Sequence, residues 1–334
     1  ARWAEYTHLM GPLRRRDRVL QAVPNISTRW NILRFAWESL PLPGRASLRT
    51  TLLTLADPRS DRLVVHLATF LARVLNRFLG ARFRWQALPH VFDLYSDGLE
   101  VPIIEELTTG TEALHLADRP ARAALLRDPA FRRRFAREWR RVFGKAWHRD
   151  LGEARIVGAP DPTLAGKTFA AVAAERGIPA VDAFLDCNAE HGDALRWVTV
   201  AANDRPAILR GIVANPDVLI GFSDAGAHLR NMGFYNFGLR MLRLVRDAEA
   251  AGTPVLTIGR AVQRLTSEIA DFLRLPAGRL RIGDRADLVL VDPEGLDERV
   301  EELHEEEMAD FPGLARLVRR NERAVRAVVV GGEV

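Results

Sequence analysis

A short, almost continuously apolar run does most to restrict the fold of this chain. The run, DVLIGFSD at residues 217–224, carries apolar side chains at consecutive positions rather than at alternate ones. This pattern is typical of a strand that is buried on both faces, as in a parallel sheet covered by helices. The run ends in Ser223 and Asp224, and the small residues at 225–227 leave room beside the Asp224 carboxylate. The sequence therefore predicts a buried parallel strand with a carboxylate at its carboxyl end.

Strand-like and helix-like segments alternate along most of the chain. Helices are predicted over residues 63–79, 120–143, 168–177 and 257–275. The first of these helices is predicted to be largely buried. In the second, Phe131, Phe135 and Trp139 recur every four residues, which predicts that one face packs against a core. Such alternation predicts βα units and a parallel sheet. After residue 274 the pattern changes to turn-rich β segments.

The arginine content raises the question of a nucleic-acid partner. Lys145 and Lys167 are the only lysines among the 48 basic residues, and the net charge is +5. Because the arginines are scattered among acidic residues and form no basic stripe, we predict no nucleic-acid partner. No run of about 18 or more apolar residues occurs, so we also predict no membrane span.

Cys187 is the only cysteine. The chain can therefore form no internal disulfide and no zinc site built from several cysteines. A single cysteine fits a reducing compartment, and we predict a cytoplasmic location.

Asp224 is the strongest candidate for a catalytic group. In (β/α)₈ barrels the active site lies at the carboxyl ends of the strands. A carboxylate there can accept a proton from water or donate one to a leaving amine. Alternatively, Asp224 only caps the next helix or closes a turn, two positions where aspartate is common.

Three segments together carry a resemblance to a known family. They are GFSDAGAH at 221–228, AVQRLTSEIADFLRL at 261–275 and GRLRIGDRADLVLVDPEGL at 278–296. Their combination resembles the amidohydrolase superfamily, in particular its D-aminoacylase (N-acyl-D-amino-acid deacylase) branch. The resemblance implies an N-terminally incomplete (β/α)₈ TIM-barrel-type metal-dependent hydrolase, with inserts, over residues 1–274. It also implies a small C-terminal β-sandwich segment over 275–334.

The resemblance also implies a reaction. The family hydrolyses the amide bond of N-acyl amino acids, and this chain would carry the half with the catalytic aspartate. Asp224 would activate a water molecule bound to zinc and later protonate the leaving nitrogen. Zinc makes this feasible because it lowers the pKa of bound water from about 15.7 to about 7.

Further candidates lie close to Asp224 in the sequence. Ser223 and His228 are expected to contact substrate, although His228 has the alternative of being an ordinary polar loop residue. Arg230 suits a substrate carboxylate because its guanidinium forms a planar fork, with a surface arginine as the alternative. His90, in LPHVFDLYSDG, lies in a loop that we expect to border the pocket.

One part of the family pattern is missing. The family begins its barrel with a His-x-His pair, and no two of the eight histidines here are separated by one residue. The metal ligands are therefore unknown and are expected upstream of this chain. The alternative is a degenerate relative without a metal. A barrel that lacks its first strands has open sheet edges, which favour association, so we predict a homo-oligomer or another chain that supplies the missing strands.

Two other functions stay open at this point. One is a related amidohydrolase, dihydroorotase-like or isoaspartyl-dipeptidase-like. The other is a catalytically dead scaffold or interaction protein that has kept the barrel and lost the metal site.

Overall fold

The computed structural model describes residues 3–22, 47–58, 63–140, 150–223, 226–319 and 321–333. The strands are β1 (Val19–Ala22), β2 (Arg49–Leu53), β3 (Arg82–Ala87), β4 (Phe92–Asp97), β5 (Arg155–Gly158), β6 (Arg196–Ala202), β7 (Val218–Ile220), β8 (Leu288–Val291), β9 (His304–Met308), β10 (Phe311–Val318) and β11 (Val325–Val329). The α-helices are α1 (Trp3–Arg15), α2 (Val64–Phe78), α3 (Pro102–Glu105), α4 (Thr108–Leu114), α5 (Arg119–Arg127), α6 (Pro129–Trp139), α7 (Phe169–Arg176), α8 (Ala180–His191), α9 (Pro206–Ala214), α10 (Phe237–Ala250), α11 (Ile258–Leu265) and α12 (Ser267–Leu273). Short 3₁₀ helices lie at Leu151–Glu153, Pro162–Leu164, Gly192–Ala194, Pro293–Gly295 and Glu298–Glu301.

A parallel sheet holds the candidate site in place. Its strand order is β1-β2-β3-β7, and all three neighbouring pairs are parallel. One face of the sheet packs Leu52 and Phe83 against α1 and α2, where Met10 and Leu75 are buried. All three residues of β7 are buried, which confirms the prediction of a fully buried strand over this part of the run.

Between β3 and α9, the described residues form an antiparallel sheet and six α-helices, together called the insert. The sheet has the order β4-β6-β5, and the helices α3 to α8 pack around it. Its core contains fully buried aromatic side chains: Phe131, Phe135, Phe169, Phe184 and Trp197. The buried Nε1 of Trp197 donates to the carbonyl oxygen of Gly98 at 2.7 Å, so this large core residue leaves no unsatisfied donor.

The helix predicted over 120–143 is divided in two within the described residues. Helix α5 ends at Arg127 and α6 begins at Pro129. Proline has no backbone N–H and disfavours a helical residue before it, so the first helix cannot continue through this point. Asp128 instead caps α6, because its Oδ2 accepts from the backbone N of Phe131 at 2.7 Å. The buried face of Phe131, Phe135 and Trp139 is as predicted.

Helix α2 is not largely buried, contrary to the expectation for residues 63–79. Val65 and Leu75 are buried, whereas Leu67, Phe70 and Phe78 are 63%, 64% and 73% exposed. A helix of 15 residues packed on one side of a sheet buries a single stripe, so its remaining apolar side chains face outward. None of the helices formed by the described residues has the length and apolarity needed to cross a membrane.

The residues after α12 form two antiparallel pairs, β9 with β10 and β8 with β11. This confirms the predicted β character of the C-terminal segment. The first pair is tied to the rest of the chain by the backbone N of Leu317, which donates to the carbonyl oxygen of Leu229 at 2.8 Å. The boundary at residues 274 and 275 stays a prediction.

Candidate active site

The carboxyl ends of three parallel strands meet at one edge of the sheet. The parallel register continues beyond the strands, because Leu55 N donates to Gln86 O at 2.7 Å and Gly221 N donates to Ala87 O at 3.0 Å. The segments that follow β2, β3 and β7 therefore start side by side. They carry Asp57, His90 and Ser223, respectively.

Strand β7 ends at Ile220, four residues before the predicted end at residue 224, and is followed by Gly221. The φ of Gly221 is +127°, a backbone conformation that side chains rarely allow. A Cβ at this position would lie 2.7 Å from the Phe237 ring, so only glycine fits without moving that ring. This turn carries the half-buried Phe222 and Ser223 away from the strand direction.

The predicted catalytic aspartate itself, Asp224, and the following Ala225 lie outside the described residues. On their far side Gly226 is exposed, and a Cβ there would meet no atom within 4 Å. The residues that flank Asp224 are therefore a buried strand end and an open turn. The role of Asp224 stays a prediction.

Asn203 ties two of the strand ends together. It is fully buried and has a left-handed φ of +65°. Its Oδ1 accepts from Asp57 N at 2.9 Å, and its Nδ2 donates to His90 O at 3.1 Å. The Asp57 carboxylate is buried and is held by Arg205, whose Nε donates to Oδ2 at 2.7 Å. The hydrogen bonds to Asp57 raise the pKa of Arg205 above its ordinary value.

His90 is a buried histidine at the end of β3. Its Nδ1 lies 2.6 Å from the carbonyl oxygen of Val91, and its ring packs on Phe234 with centroids 5.0 Å apart. Burial lowers the pKa of His90 well below its ordinary value, and the positive charges of Arg240 and Arg319 lower it further. The imidazole is therefore neutral, with the Nδ1 proton assigned from the contact to Val91.

The other ring nitrogen of His90 has no hydrogen-bond partner. Nε2 is a buried lone-pair acceptor without a donor among the described residues. Two nearby side chains also have buried polar atoms without a hydrogen-bond partner among the described residues. These atoms are the donors Nε and Nη1 of Arg240 and the acceptor Oδ1 of Asp93. Arg240 makes one ion pair, from Nη2 to Glu301 Oε2 at 2.5 Å. Buried polar atoms of this kind are rare and mark positions that water or another group completes.

Arg230 forms a link between the insert and the C-terminal hairpin. Its Nε donates to Asp97 Oδ2 and its Nη1 to Glu305 Oε2, each at 2.8 Å. Hydrogen bonds to both carboxylates raise the pKa of Arg230 above its ordinary value. The guanidinium fork is therefore already engaged by carboxylates of this chain, and its role toward substrate stays a prediction.

His228 lies half-buried in the turn after β7. Its carbonyl oxygen accepts from the backbone N of Asn231 and of Met232, both at 3.0 Å. This backbone contact begins the turn that leads to Arg230. A substrate contact from the His228 ring stays a prediction.

The described residues do not fit a zinc site. Among them, no group of three or more His, Cys, Asp or Glu side chains could hold a metal ion. Cys187 is buried in α8 of the insert, and burial raises the pKa of its thiol to about 11, which disfavours the thiolate that a metal requires. At the strand ends, the imidazole of His90 offers one lone pair to a metal, and one ligand does not make a zinc site.

Asn203 and Arg240 are among the residues of this region that the sequence analysis does not identify. Asn203 follows a strand in AAND, and asparagine tolerates left-handed backbone, so its position was a detectable signal. Arg240 could not be found, because nothing in the sequence separates it from the many other arginines.

Comparison with known proteins identifies relatives along the whole chain. The model of the amidohydrolase family matches residues 75–334. Uncharacterized proteins of Mycobacterium bovis and Mycobacterium tuberculosis are 48% identical over 338 residues, which cover 100% of this chain and 55% of theirs. The chain thus spans about half the length of the curated relatives it matches.

Two solved structures share the fold. A D-aminoacylase described as defining a novel subset of amidohydrolases aligns with a TM-score of 0.52 and 14% identity, covering 98% of this chain and 55% of that one. An N-acyl-D-glutamate deacylase from Bordetella bronchiseptica, complexed with zinc and a phosphonate inhibitor, aligns with a TM-score of 0.51 and 16% identity, covering 99% and 56%. These similarities confirm a TIM-barrel-type α/β fold of the D-aminoacylase kind.

Proposed function

Because this chain belongs to the amidohydrolase family, we propose that it forms the aspartate-bearing part of a hydrolase for the amide bond of N-acyl amino acids. One observation supports this above all: the family match at residues 75–334 runs through the strand end that leads into Ser223 and Asp224. The substrate class follows the D-aminoacylase and N-acyl-D-glutamate deacylase that share the fold. The chain spans about half of its mycobacterial relatives, so the activity of the whole protein is part of the proposal.

Asp224 has the central role in this proposal. Its carboxylate accepts a proton from the attacking water and then delivers a proton to the nitrogen of the leaving amine. A side chain that transfers protons in this way contributes roughly 10²- to 10⁴-fold in rate. The buried strand β7 and the turn at Gly221, which precede Asp224 in the chain, support this role, because the active sites of barrel enzymes lie after the carboxyl ends of the strands.

Ser223, His228 and Arg230 are proposed to contact the substrate. For Arg230, a substrate carboxylate would replace the contact to Glu305, whose side chain is 48% exposed, while the bidentate contact to Asp97 stays in place. An exposed ion pair of this kind contributes little and is readily exchanged.

The proposal includes a zinc ion, but no residue is assigned as its ligand. The metal content of the purified protein, measured by mass spectrometry without added metal, tests it. Stoichiometric zinc would require ligands outside the described residues, because these contain no suitable group. A cytoplasmic location is likewise proposed, on the strength of the free and buried Cys187.

Hydrolysis of N-acetyl-D-amino acids by the wild-type protein and by Asp224→Asn tests the function directly. We expect kcat to fall by at least about 100-fold in Asp224→Asn, because the amide cannot accept or donate the proton. Asp310→Asn, in the exposed turn between β9 and β10, is the matched control and is expected to keep full activity.

The same assay decides between this function and two alternatives. Turnover of cyclic amides or isoaspartyl dipeptides, with none of N-acyl amino acids, would favour the related amidohydrolases. No turnover of any amide and no bound metal would favour a catalytically dead scaffold. The absence of a ligand group among the described residues is the observation that supports this last candidate.

A further inference from the structure

A second polar site lies at the opposite end of the parallel sheet. A cavity of about 310 Å³ opens there, lined by Arg49, Asn76, Ala81, Arg82, Arg84 and Phe272. Arg49 begins β2 and Arg82 begins β3, so the cavity lies at the amino ends of the strands. The length of β3 separates it from the carboxyl ends by roughly 17 Å, at about 3.3 Å per residue.

The sheet register brings the three arginines together. Arg49 lies directly opposite Arg82 on the neighbouring strand, and Arg84 follows two residues later. Opposite residues and residues two apart share a face of a sheet, so all three guanidinium groups extend from the same face. The apolar Phe83 between them points to the other face, where it is buried.

Carboxylates do not balance this positive charge. Asp17 is shared by Arg49 at 3.8 Å, Arg82 at 3.4 Å and also Arg274. Asp217 lies 3.4 Å from Arg84. Among the described residues, two carboxylates therefore pair with these four guanidinium groups.

A third nearby acid, Asp271, is also engaged. Asp271 pairs with Arg279 at 2.5 Å. Among the residues that the structure describes, no acidic side chain lines the cavity itself.

Arg49 shows the imbalance most directly. Its Nη1 donates to the carbonyl oxygens of Asp271 and Phe272 at 3.0 and 3.3 Å, which fixes the side chain. Its Nε is buried and has no hydrogen-bond partner among the described residues. Burial and the positive charge of Arg274 lower the pKa of Arg49 below its ordinary value. A buried guanidinium donor that makes no hydrogen bond, with its carboxylate partner Asp17 as far away as 3.8 Å and other arginines beside it, is an unfavourable arrangement that an anion would relieve.

We propose that this cavity binds a small phosphorylated molecule, with its phosphate against Arg49, Arg82 and Arg84. Guanidinium forks match phosphate oxygens in bidentate geometry. The Asn76 amide is bonded to the backbone of Phe83 and to Asp217, so it stabilises the wall of the cavity and is not assigned to the ligand. The volume falls at the lower end for ligand pockets, about 300–1,000 Å³, which leaves space beyond a bare phosphate ion. Phe272 provides an apolar wall for the rest of the molecule. The site is independent of the proposed amide hydrolysis and lies at the other end of the sheet.

Binding of phenyl phosphate and of inorganic phosphate to the wild-type protein tests this. Calorimetric titration gives the affinity, and sodium chloride at the same ionic strength controls for screening. We expect both phosphates to bind, phenyl phosphate more tightly because of Phe272. In Arg84→Gln and Arg82→Gln the affinity should fall by about 10- to 100-fold, the effect of losing a charged hydrogen bond.

Two further variants make the result specific. Arg73→Gln, on the exposed side of α2, is the matched control and should bind as the wild type does. Arg84→Lys keeps the charge but removes the fork, so an intermediate loss is expected. Circular dichroism confirms that each variant is folded. Equal binding by wild type and Arg84→Gln, equal losses in Arg73→Gln, or no effect beyond that of sodium chloride would each overturn the proposal.

Discussion

His90 shows how a single buried residue couples the candidate site to pH. Its ring is 5% exposed, lies against Phe234 and faces the positive charges of Arg240 and Arg319. Both burial and these charges favour the neutral imidazole, so the pKa of His90 in the folded protein is well below its ordinary value. The unfolded chain, with an ordinary histidine pKa of about 6.5, binds a proton that the folded protein does not.

This difference predicts how stability depends on pH. The contribution of His90 is fully present above about pH 6.5 and is lost as the pH falls below that value, because only the unfolded state gains the proton. Between about pH 7 and pH 5, the wild-type free energy of unfolding should fall by at most about 2 kcal/mol more than that of His90→Gln. Urea unfolding at several pH values measures this.

His66→Gln, at an exposed position on α2, is the control and should keep the wild-type pH dependence. Identical pH profiles for the wild type and His90→Gln would show that the imidazole is not held neutral by its surroundings.

The sequence could identify a residue only where its local pattern was unusual. Asp224 was found because a carboxylate follows an apolar run, and His90 because it lies in an aromatic loop. Arg240 gains its significance solely from burial beside His90, a tertiary contact that no local pattern encodes. The sequence marks Arg230 as a candidate, but it cannot show that Arg230 pairs with Asp97 and Glu305. These partners lie 133 and 75 residues away along the chain.

At the scale of elements, the insert has its own aromatic core. Phe184 on α8 is fully buried, and its ring centroid lies 5.1 Å from that of Phe169 and 5.4 Å from that of Trp197, both edge-to-face. This geometry is favourable for aromatic pairs and adds to the area they bury. The core fixes α8 and α7 onto the antiparallel sheet that precedes α9 and β7.

Phe184→Ala is expected to lower the free energy of unfolding by about 3–5 kcal/mol, since it removes buried surface and leaves a cavity. Phe78→Ala removes the same side chain from a position that is 73% exposed. An exposed substitution of this type usually changes stability by less than about 0.5 kcal/mol. Denaturant unfolding of both variants measures the contrast, and similar losses would contradict the assignment of the core.

The elements were predicted best where local signals were strong. Helix α7 ends at Gly177, which has a left-handed φ of +66°, as the glycine in the sequence indicated. The sequence analysis predicts one helix where the structure has two, although Pro129 indicates a break at Asp128. The break is hidden because aromatic residues recur every four positions through α6. The exposure of α2 could not be predicted, since an apolar sequence does not show which of its faces has a partner.

At the scale of the whole molecule, the described residues leave apolar surface and sheet edges uncovered. β1 and β7 are the outer strands of the parallel sheet, with no further strand beside them among the described residues. Phe70 on α2 is 64% exposed, and Val289 and Leu290 on β8 are 58% and 62% exposed. Unpaired strand edges and apolar patches both favour association with another chain.

We therefore predict that this chain forms homo-oligomers, with a second copy covering the outer face of α2. Light scattering coupled to size exclusion should give a mass above that of one chain, and the mass should fall on dilution. Phe70→Glu places a charge in the middle of the exposed apolar stripe and should shift the population toward monomers. Arg77→Glu also introduces a carboxylate on α2, but at a polar exposed position, so it should associate as the wild type does. A monodisperse monomer at every concentration would contradict the prediction. Equal association by wild type and Phe70→Glu would instead place the contact at the sheet edges, where β1 and β7 offer unpaired backbone groups.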